Sequence, residues 1–142
     1  MTLLFKVTGF LLIIFTTSAI GFIKSEELNL RYKKLCSVEQ GIHSLKERIR
    51  LQGGEIDRLI HLSFQDYPIN YSYLEKDDCE IIKDFFKNIG MSDTEAEYKR
   101  CELYINMIKG KADEALKKHR ELSRLYKSMG VMSGIFICIF LI

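Results

Sequence analysis

The amino-acid sequence predicts an all-α protein: an N-terminal membrane helix continues into a long antiparallel helical hairpin with a small helical tip, and a C-terminal apolar membrane helix follows. Three observations predict this architecture. Of the 40 charged side chains, 39 lie between Lys24 and Lys127. Apolar residues in the soluble part recur at alternating gaps of three and four, as in packed helices. The 142 residues include one proline, Pro68, which favours long helices.

These features divide the chain into three parts. Residues 1–23 are the predicted N-terminal transmembrane anchor, and residues 128–142 the predicted C-terminal apolar membrane segment. Between them, residues 24–127 form a helical cytoplasmic domain. Its hairpin consists of residues 24–52 and 92–127, and its tip of residues 53–91.

The N-terminal segment is long enough to span a membrane. Counted from Thr2, with Lys6 as its one charge, about 22 residues at a rise of about 1.5 Å each cross a hydrocarbon core of about 30 Å. The alternative is a secretory signal peptide cleaved after Ala19, which would make an exported protein beginning near Ile20. The apolar run continues past Ala19 to Ile23, which is longer than a usual signal-peptide core, and the helical pattern then goes on uninterrupted. Both features favour an uncleaved anchor.

Two heptad seams predict the hairpin. The first seam consists of Leu28, Leu35, Ile42 and Ile49. The second consists of Cys101, Ile105, Ile108, Ala112, Ala115 and Leu122. Seams of this length call for long helices that pack at coiled-coil angles. The same heptad pattern is also typical of bundles formed by helices from several copies of a chain. The sequence is therefore compatible with a homo-oligomer as well.

Turn residues mark the boundaries of the tip. Gly53-Gly54 ends the first long helix, an apolar segment runs from Ile56 to Phe64, and an amphipathic helix covers Asp77 to Ile89. Gly90 suits the position just after that helix. A capping box from Ser92 to Glu95 predicts that the last helix opens near Asp93.

The C-terminal segment is short for a membrane helix. Residues 128–142 cover about 22 Å, so full spanning and partial insertion both stay open. Gly130 and Gly134 form a small-xxx-small pair that would pack against Ser18, Ala19 or Gly21, unless these glycines are merely tolerated.

Charge is distributed unevenly. Residues 24–50 carry a net charge of +3, residues 109–127 of +4 and residues 51–108 of −6. The positive-inside rule therefore favours a cytoplasmic domain, counting Arg31 among the basic residues beside the membrane. A predicted basic collar for anionic membrane lipid consists of Lys33, Lys34, Arg120, Arg124 and Lys127. The acidic region is either a docking surface or a solvated face.

The sequence shows no residue pattern typical of an enzyme's catalytic site. The three histidines lie far apart, and His119 occupies a seam position that favours a packed ring. Asp77-Asp78 is explained by the helix dipole, and no phosphate-binding loop, metal motif or cofactor motif occurs. Four unpaired cysteines indicate small buried hydrophobes in a reducing compartment. A net charge of +2 argues against nucleic-acid binding.

Four short segments follow one another along the chain: the dipeptide Gly21-Phe22 and the runs from Leu45 to Ile49, from Ile89 to Asp93 and from Leu125 to Gly134. In this order they resemble the pattern of the stage III sporulation protein AB family. Between Ile56 and Glu75 the sequence is shorter than the family pattern.

The resemblance implies a non-enzymatic subunit of a secretion-like channel complex between mother cell and forespore, in the mother-cell membrane. The implied fold is similar to the cytoplasmic domains of platform proteins in type II secretion. Implied partners are the other membrane subunits and the ATPase of the complex, stage III sporulation protein AA. The anchors and seams alone equally fit a generic membrane-anchored coiled-coil scaffold of the division or envelope machinery.

Overall fold

The described part of the chain forms four α-helices. Its structure, a computed structural model, describes residues 2–141, with side-chain burial for residues 4–137, 139 and 140. The helices are α1 (Thr2–Gln52), α2 (Ile56–Phe64), α3 (Lys76–Asn88) and α4 (Thr94–Leu141). No strand occurs among the described residues, so the all-α class is confirmed.

Glycines end α1 and α3 as predicted. Gly53 and Gly54 follow α1 with φ angles of 56° and 120°, and Gly90 follows α3 with φ of 89°. These positive values are costly for a residue with a Cβ atom, which is why glycine can reverse the chain at these points.

The predicted capping box at the start of α4 is wrong. The backbone N–H of Ser92 donates to Oε1 of Glu97 at 2.9 Å, whereas Glu95 pairs with Lys99 at 2.9 Å. The physical reason is burial. Glu97 is fully buried beside Arg100, whose Nη1 lies 2.6 Å from Glu97 Oε1, while Glu95 points to solvent.

One described helix is long and apolar enough to cross a membrane. It lies in α1 near the N-terminus, where an 18-residue window has a mean hydropathy of 1.8 and is only 6% buried. The C-terminal end of α4 does not meet the same criterion in the described residues, so the predicted C-terminal membrane helix is not confirmed.

The contacts divide the chain into two units. The terminal unit comprises residues 1–29 and 116–142, and the central unit residues 30–115. All four helices contribute to the core of the central unit. Its buried apolar residues are Leu35, Val38, Ile42, Leu45, Ile49, Leu59, Ile82, Phe85, Cys101, Tyr104, Ile105, Ile108, Ala112 and Ala115.

Helix α2 docks on α1 at a glycine. A Cβ atom built on Gly41 would overlap the ring of Phe64. That ring packs edge-on against Phe86 with centroids 5.1 Å apart, and Phe86 in turn contacts Phe85 at 5.2 Å. The aromatic cluster therefore leaves Phe64 little room to move away from a larger residue.

Gly41→Ala is expected to destabilise the full-length chain in detergent by about 1–3 kcal/mol through overpacking. Gly110→Ala makes the same change in α4, where a Cβ atom meets nothing within 4 Å. It is expected to stabilise by about 0.5–1 kcal/mol, because alanine has the higher helix propensity. Urea titrations followed by circular dichroism measure both. Equal effects of the two substitutions would mean that α2 does not dock at Gly41.

Candidate functional site

The two long helices approach each other closely within the terminal unit. A Cβ atom on Gly21 would lie 2.6 Å from the backbone oxygen of Tyr126, and one on Gly130 would lie 2.9 Å from that of Thr17. At Gly134 it would lie 3.0 Å from Cγ1 of Ile14. Real Cβ atoms essentially never come within 3.0 Å of another heavy atom, so the packing requires glycine at positions 21 and 130, and it is tight at Gly134. Such small-residue contacts are typical of membrane helix pairs.

The predicted packing glycines, Gly130 and Gly134, thus contact specific residues of α1. Of the three residues predicted to pack against Gly130 and Gly134, Ser18 does so, because its Cα atom would lie 3.3 Å from a Cβ atom on Gly130. Gly21 lies in the same helix contact but packs against Tyr126. Ala19 is exposed. Sequence reasoning missed Thr17 and Ile14, because the register of two helices cannot be read from one small-residue motif.

A buried hydroxyl pair adjoins this contact. Oγ of Ser25 and Oγ of Ser123 lie 2.6 Å apart, with both residues buried. Nδ1 of His119 lies 3.1 Å from the backbone oxygen of Ser25, so the half-buried ring packs between the helices. The seam position of His119 indicated a packed ring, but nothing in the sequence paired the two serines.

An apolar groove of about 290 Å³ lies beside the glycine contact. Its lining residues are Thr17, Ile20, Gly21, Tyr126, Met129, Gly130 and Ser133. The groove offers no cluster of titratable groups, so its chemistry suits packing against apolar matter.

The heptad seams are placed as follows. In the central unit, Leu35, Ile42 and Ile49 of the first seam are buried, as are Cys101, Ile105, Ile108, Ala112 and Ala115 of the second. In the terminal unit, Leu28 and Leu122 are half-buried.

A buried ion pair that the sequence did not predict joins α1 to α3. Nε of Arg31 donates to Asp78 Oδ2 at 2.8 Å and Nη2 to Oδ1 at 3.0 Å, and the two side chains are 3% and 0% exposed. Nη1 of Arg31 also lies 2.9 Å from Glu75. Arg31 is therefore not a membrane-facing charge. Asp78 lies in the first turn of α3, where the helix dipole favours an acidic residue, and it is in addition the buried counter-ion of Arg31.

The electrostatics of Asp78 follow from its partners. Burial by itself would raise the pKa of the carboxyl group, but hydrogen bonds from Arg31 and from the backbone N–H of Glu75 outweigh it. The net effect holds the pKa of Asp78 below its ordinary value. The carboxylate is thus charged at neutral pH and serves as the counter-ion of Arg31.

The basic collar residues fall into both units. Arg120, Arg124 and Lys127 are exposed in the terminal unit. In the central unit, Lys33 is exposed and Lys34 half-buried.

Titratable side chains give no sign of a reactive centre in the described residues. No group of three or more histidine, cysteine or acidic side chains there could hold a metal ion. Burial raises the pKa of the Cys101 thiol to about 11, which keeps it protonated and unreactive at neutral pH. Cys36 and Cys79 are half-buried, and the side chain of Cys138 lies outside the described residues.

The fold and these contacts define an all-helical protein with an apolar N-terminal helix and a glycine-mediated helix contact in its terminal unit. The family model of stage III sporulation protein AB matches residues 6–63 and 56–142. The chain therefore belongs to the stage III sporulation protein AB family and has a role in stage III of sporulation. The two matched segments overlap at residues 56–63. No curated protein and no solved structure matches the chain.

Proposed function

We propose that the protein is a non-enzymatic, membrane-anchored platform subunit of a sporulation-specific, secretion-like channel complex between mother cell and forespore. The observation that carries the proposal is the glycine contact of Gly21 and Gly130 in the terminal unit. Membership of the stage III sporulation protein AB family supports the sporulation setting. A subunit that organises others needs a rigid base in the membrane, and a close helix pair supplies one.

The C-terminal end of α4 enters the membrane beside α1 in this proposal. Exposed apolar side chains there, such as Phe136 at 67% and Phe140 at 96%, support it because lipid would cover them. Hydroxyl groups also find partners within their own helices. Ser133 Oγ donates to the backbone oxygen of Gly130 at 3.0 Å, and Thr17 Oγ1 to that of Ile13 at 2.9 Å. Donors satisfied in this way cost little in hydrocarbon.

A long antiparallel hairpin is the second part of the proposal. In the terminal unit, the partner residues fall along α1 as they rise along α4, from Gly21 with Tyr126 to Ile14 with Gly134. In the central unit, Lys46 Nζ of α1 lies 3.6 Å from Glu102 and 4.7 Å from the ring centre of Tyr98, both on α4. We propose that residues 24–127 lie in the cytoplasm and that the protein is anchored in the mother-cell membrane around the forespore.

The partners in this proposal are the other membrane subunits and the ATPase, stage III sporulation protein AA. Residues 53–91 form the tip and are the surface we assign to such contacts. Their net acidic charge suits basic partner surfaces.

A clean deletion tests the sporulation channel against the generic scaffold. If the protein is a channel subunit, the deletion strain should arrest after engulfment and lose forespore gene expression. Normal spores would leave the membrane-anchored architecture in place but would contradict a channel role and favour a division or envelope scaffold.

Complementation with glycine variants tests the helix contact itself. Gly21→Leu is expected to fail to restore spores, because the side chain would strike the backbone of Tyr126. Gly9→Leu is the matched control in the same apolar segment, where a Cβ atom meets nothing within 4 Å, and should complement. Immunoblots of carbonate-washed membranes establish that both variants insert. Full complementation by an inserted Gly21→Leu protein would contradict the proposed packing role.

A further inference from the structure

A row of four basic residues lies on one face of α4 in the terminal unit. Lys117, Arg120, Arg124 and Lys127 follow one another at gaps of three, four and three, so they share one side of the helix. All four are exposed. We call this set the basic stripe. It begins two residues after Ala115, the last residue of the central unit, and stops at the uncharged run that starts with Ser128.

The stripe side chains form no ion pair in the part of the chain that the structure describes, although Glu121 lies among them in sequence. Lys127 Nζ instead lies 5.5 Å from the ring centre of Phe22, an apolar and exposed neighbour. Four like charges on adjacent turns repel one another, which is unfavourable unless an anion outside the chain compensates.

The rotation of α4 in this unit is fixed by contacts on another face. Ser123 is buried in its hydrogen bond to Ser25, and Gly130 packs on the backbone of Thr17. These contacts hold one side of α4 against α1. The basic stripe is therefore left facing outward.

We propose that the basic stripe binds the phosphate head groups of anionic lipids in the leaflet that α4 enters. This inference rests on the membrane position proposed above for the C-terminal end of α4. A single small anion would not use the whole stripe, because its ends are about 15 Å apart along the helix at about 1.5 Å per residue. A layer of lipid head groups provides several phosphates over such a distance.

The four stripe residues are expected to contribute unequally to lipid binding, because they lie at different distances from the membrane. Measured along α4, Arg124 lies about 4–5 Å from Lys127, Arg120 about 10 Å and Lys117 about 15 Å. The head-group layer is about 5–7 Å thick, and the Debye length at physiological salt is about 8 Å. Lys127 and Arg124 therefore contribute most, Arg120 less and Lys117 least.

The test uses the full-length chain in nanodiscs that contain phosphatidylglycerol and phosphatidylcholine in equal amounts. Electron paramagnetic resonance of a spin-labelled version of each lipid gives the fraction held at the protein. Wild type is expected to prefer phosphatidylglycerol at least fivefold, and this preference should fall toward one at high salt. Changing all four stripe residues to Gln should abolish it.

The matched control removes four exposed positive charges from the central unit that lie outside the predicted collar, at Arg50, Lys83, Lys87 and Lys109. This quadruple Gln variant should keep the wild-type preference. Among single variants, Lys127→Gln and Arg124→Gln should each reduce the preference more than Lys117→Gln. Equal losses in the stripe and control variants, or competition by millimolar inorganic phosphate, would overturn the lipid assignment.

Protease protection of the C-terminus in the same nanodiscs separates this inference from the proposed function. A protected C-terminus without a lipid preference overturns the stripe's role and leaves the platform proposal standing. An unprotected C-terminus contradicts both. A stripe variant that keeps the lipid preference but loses binding of another channel subunit would assign the stripe to a protein partner instead.

Discussion

Asp78→Leu is expected to destabilise the protein by about 3–5 kcal/mol, because it leaves the guanidinium group of Arg31 buried without its counter-ion. Urea unfolding of the full-length chain in detergent measures the loss. The double variant Arg31→Met with Asp78→Leu should recover most of it, since replacing a whole buried pair by apolar residues is often neutral or stabilising. The cost of the single change would then be that of an unpaired charge rather than of a lost attraction.

Asp77→Leu is the matched control for this prediction. Asp77 is the preceding residue on the same helix, but its side chain is 71% exposed and lies 3.8 Å from Lys111. Its loss should cost less than about 1 kcal/mol, as for exposed ion pairs. Similar losses for both single variants, or a double variant as unstable as Asp78→Leu, would contradict a buried and coupled pair.

The same pair predicts how stability depends on pH. Arg31 and the Glu75 backbone lower the pKa of Asp78 in the folded state below the ordinary value of about 3.9. The stabilisation is therefore complete above that unfolded pKa and is lost as pH falls through the lower folded value. The difference in stability between wild type and the double variant, measured from pH 6 down to pH 2, should decline only at the acid end. A decline above pH 5 would point to another group.

Ile108→Asp is expected to cost about 4 kcal/mol or more, because it places a carboxylate at a fully buried position among apolar neighbours. A domain of this size has only about 5–15 kcal/mol of stability. The variant should therefore lose a large part of its stability and melt at a much lower temperature than wild type, which circular dichroism during heating would show.

Met107→Asp provides the comparison for Ile108→Asp. Met107 is the adjacent residue and is 42% exposed. Both variants introduce the same charge and the same helix propensity, so burial is the main difference between them. Met107→Asp should stay within about 1 kcal/mol of wild type. A normal melting curve for Ile108→Asp would mean that the second seam does not face the core.

Much of the local structure could be predicted because it depends on neighbours in sequence. The ends of α1 and α3 follow from Gly53 and Gly90, whose positive φ angles are a local property. Helix α2 has the same bounds as the apolar segment that the sequence showed from Ile56 to Phe64. The buried part of the seams followed from heptad spacing.

Interactions between distant residues could not be predicted in the same way. Arg31 and Asp78 are 47 positions apart, and each looks in sequence like an ordinary solvated charge. Gly41 is a glycine within a helix, and its contact with Phe64 depends on how α2 folds back. The serine pair Ser25 and Ser123 is 98 positions apart. In each case the contact depends on the register in which two helices pack. That register cannot be read from a single sequence.

Asp78 links the local structure at the start of α3 to the packing of α3 against α1. Its Oδ2 accepts a hydrogen bond from the backbone N–H of Glu75 at the start of α3 and another from Arg31 of α1. Docking on α1 therefore immobilises the carboxylate that closes the first turn of α3. An α3 segment released from α1 would unravel at its N-terminus, so native-state hydrogen exchange should show the amides of α3 opening together in one cooperative step.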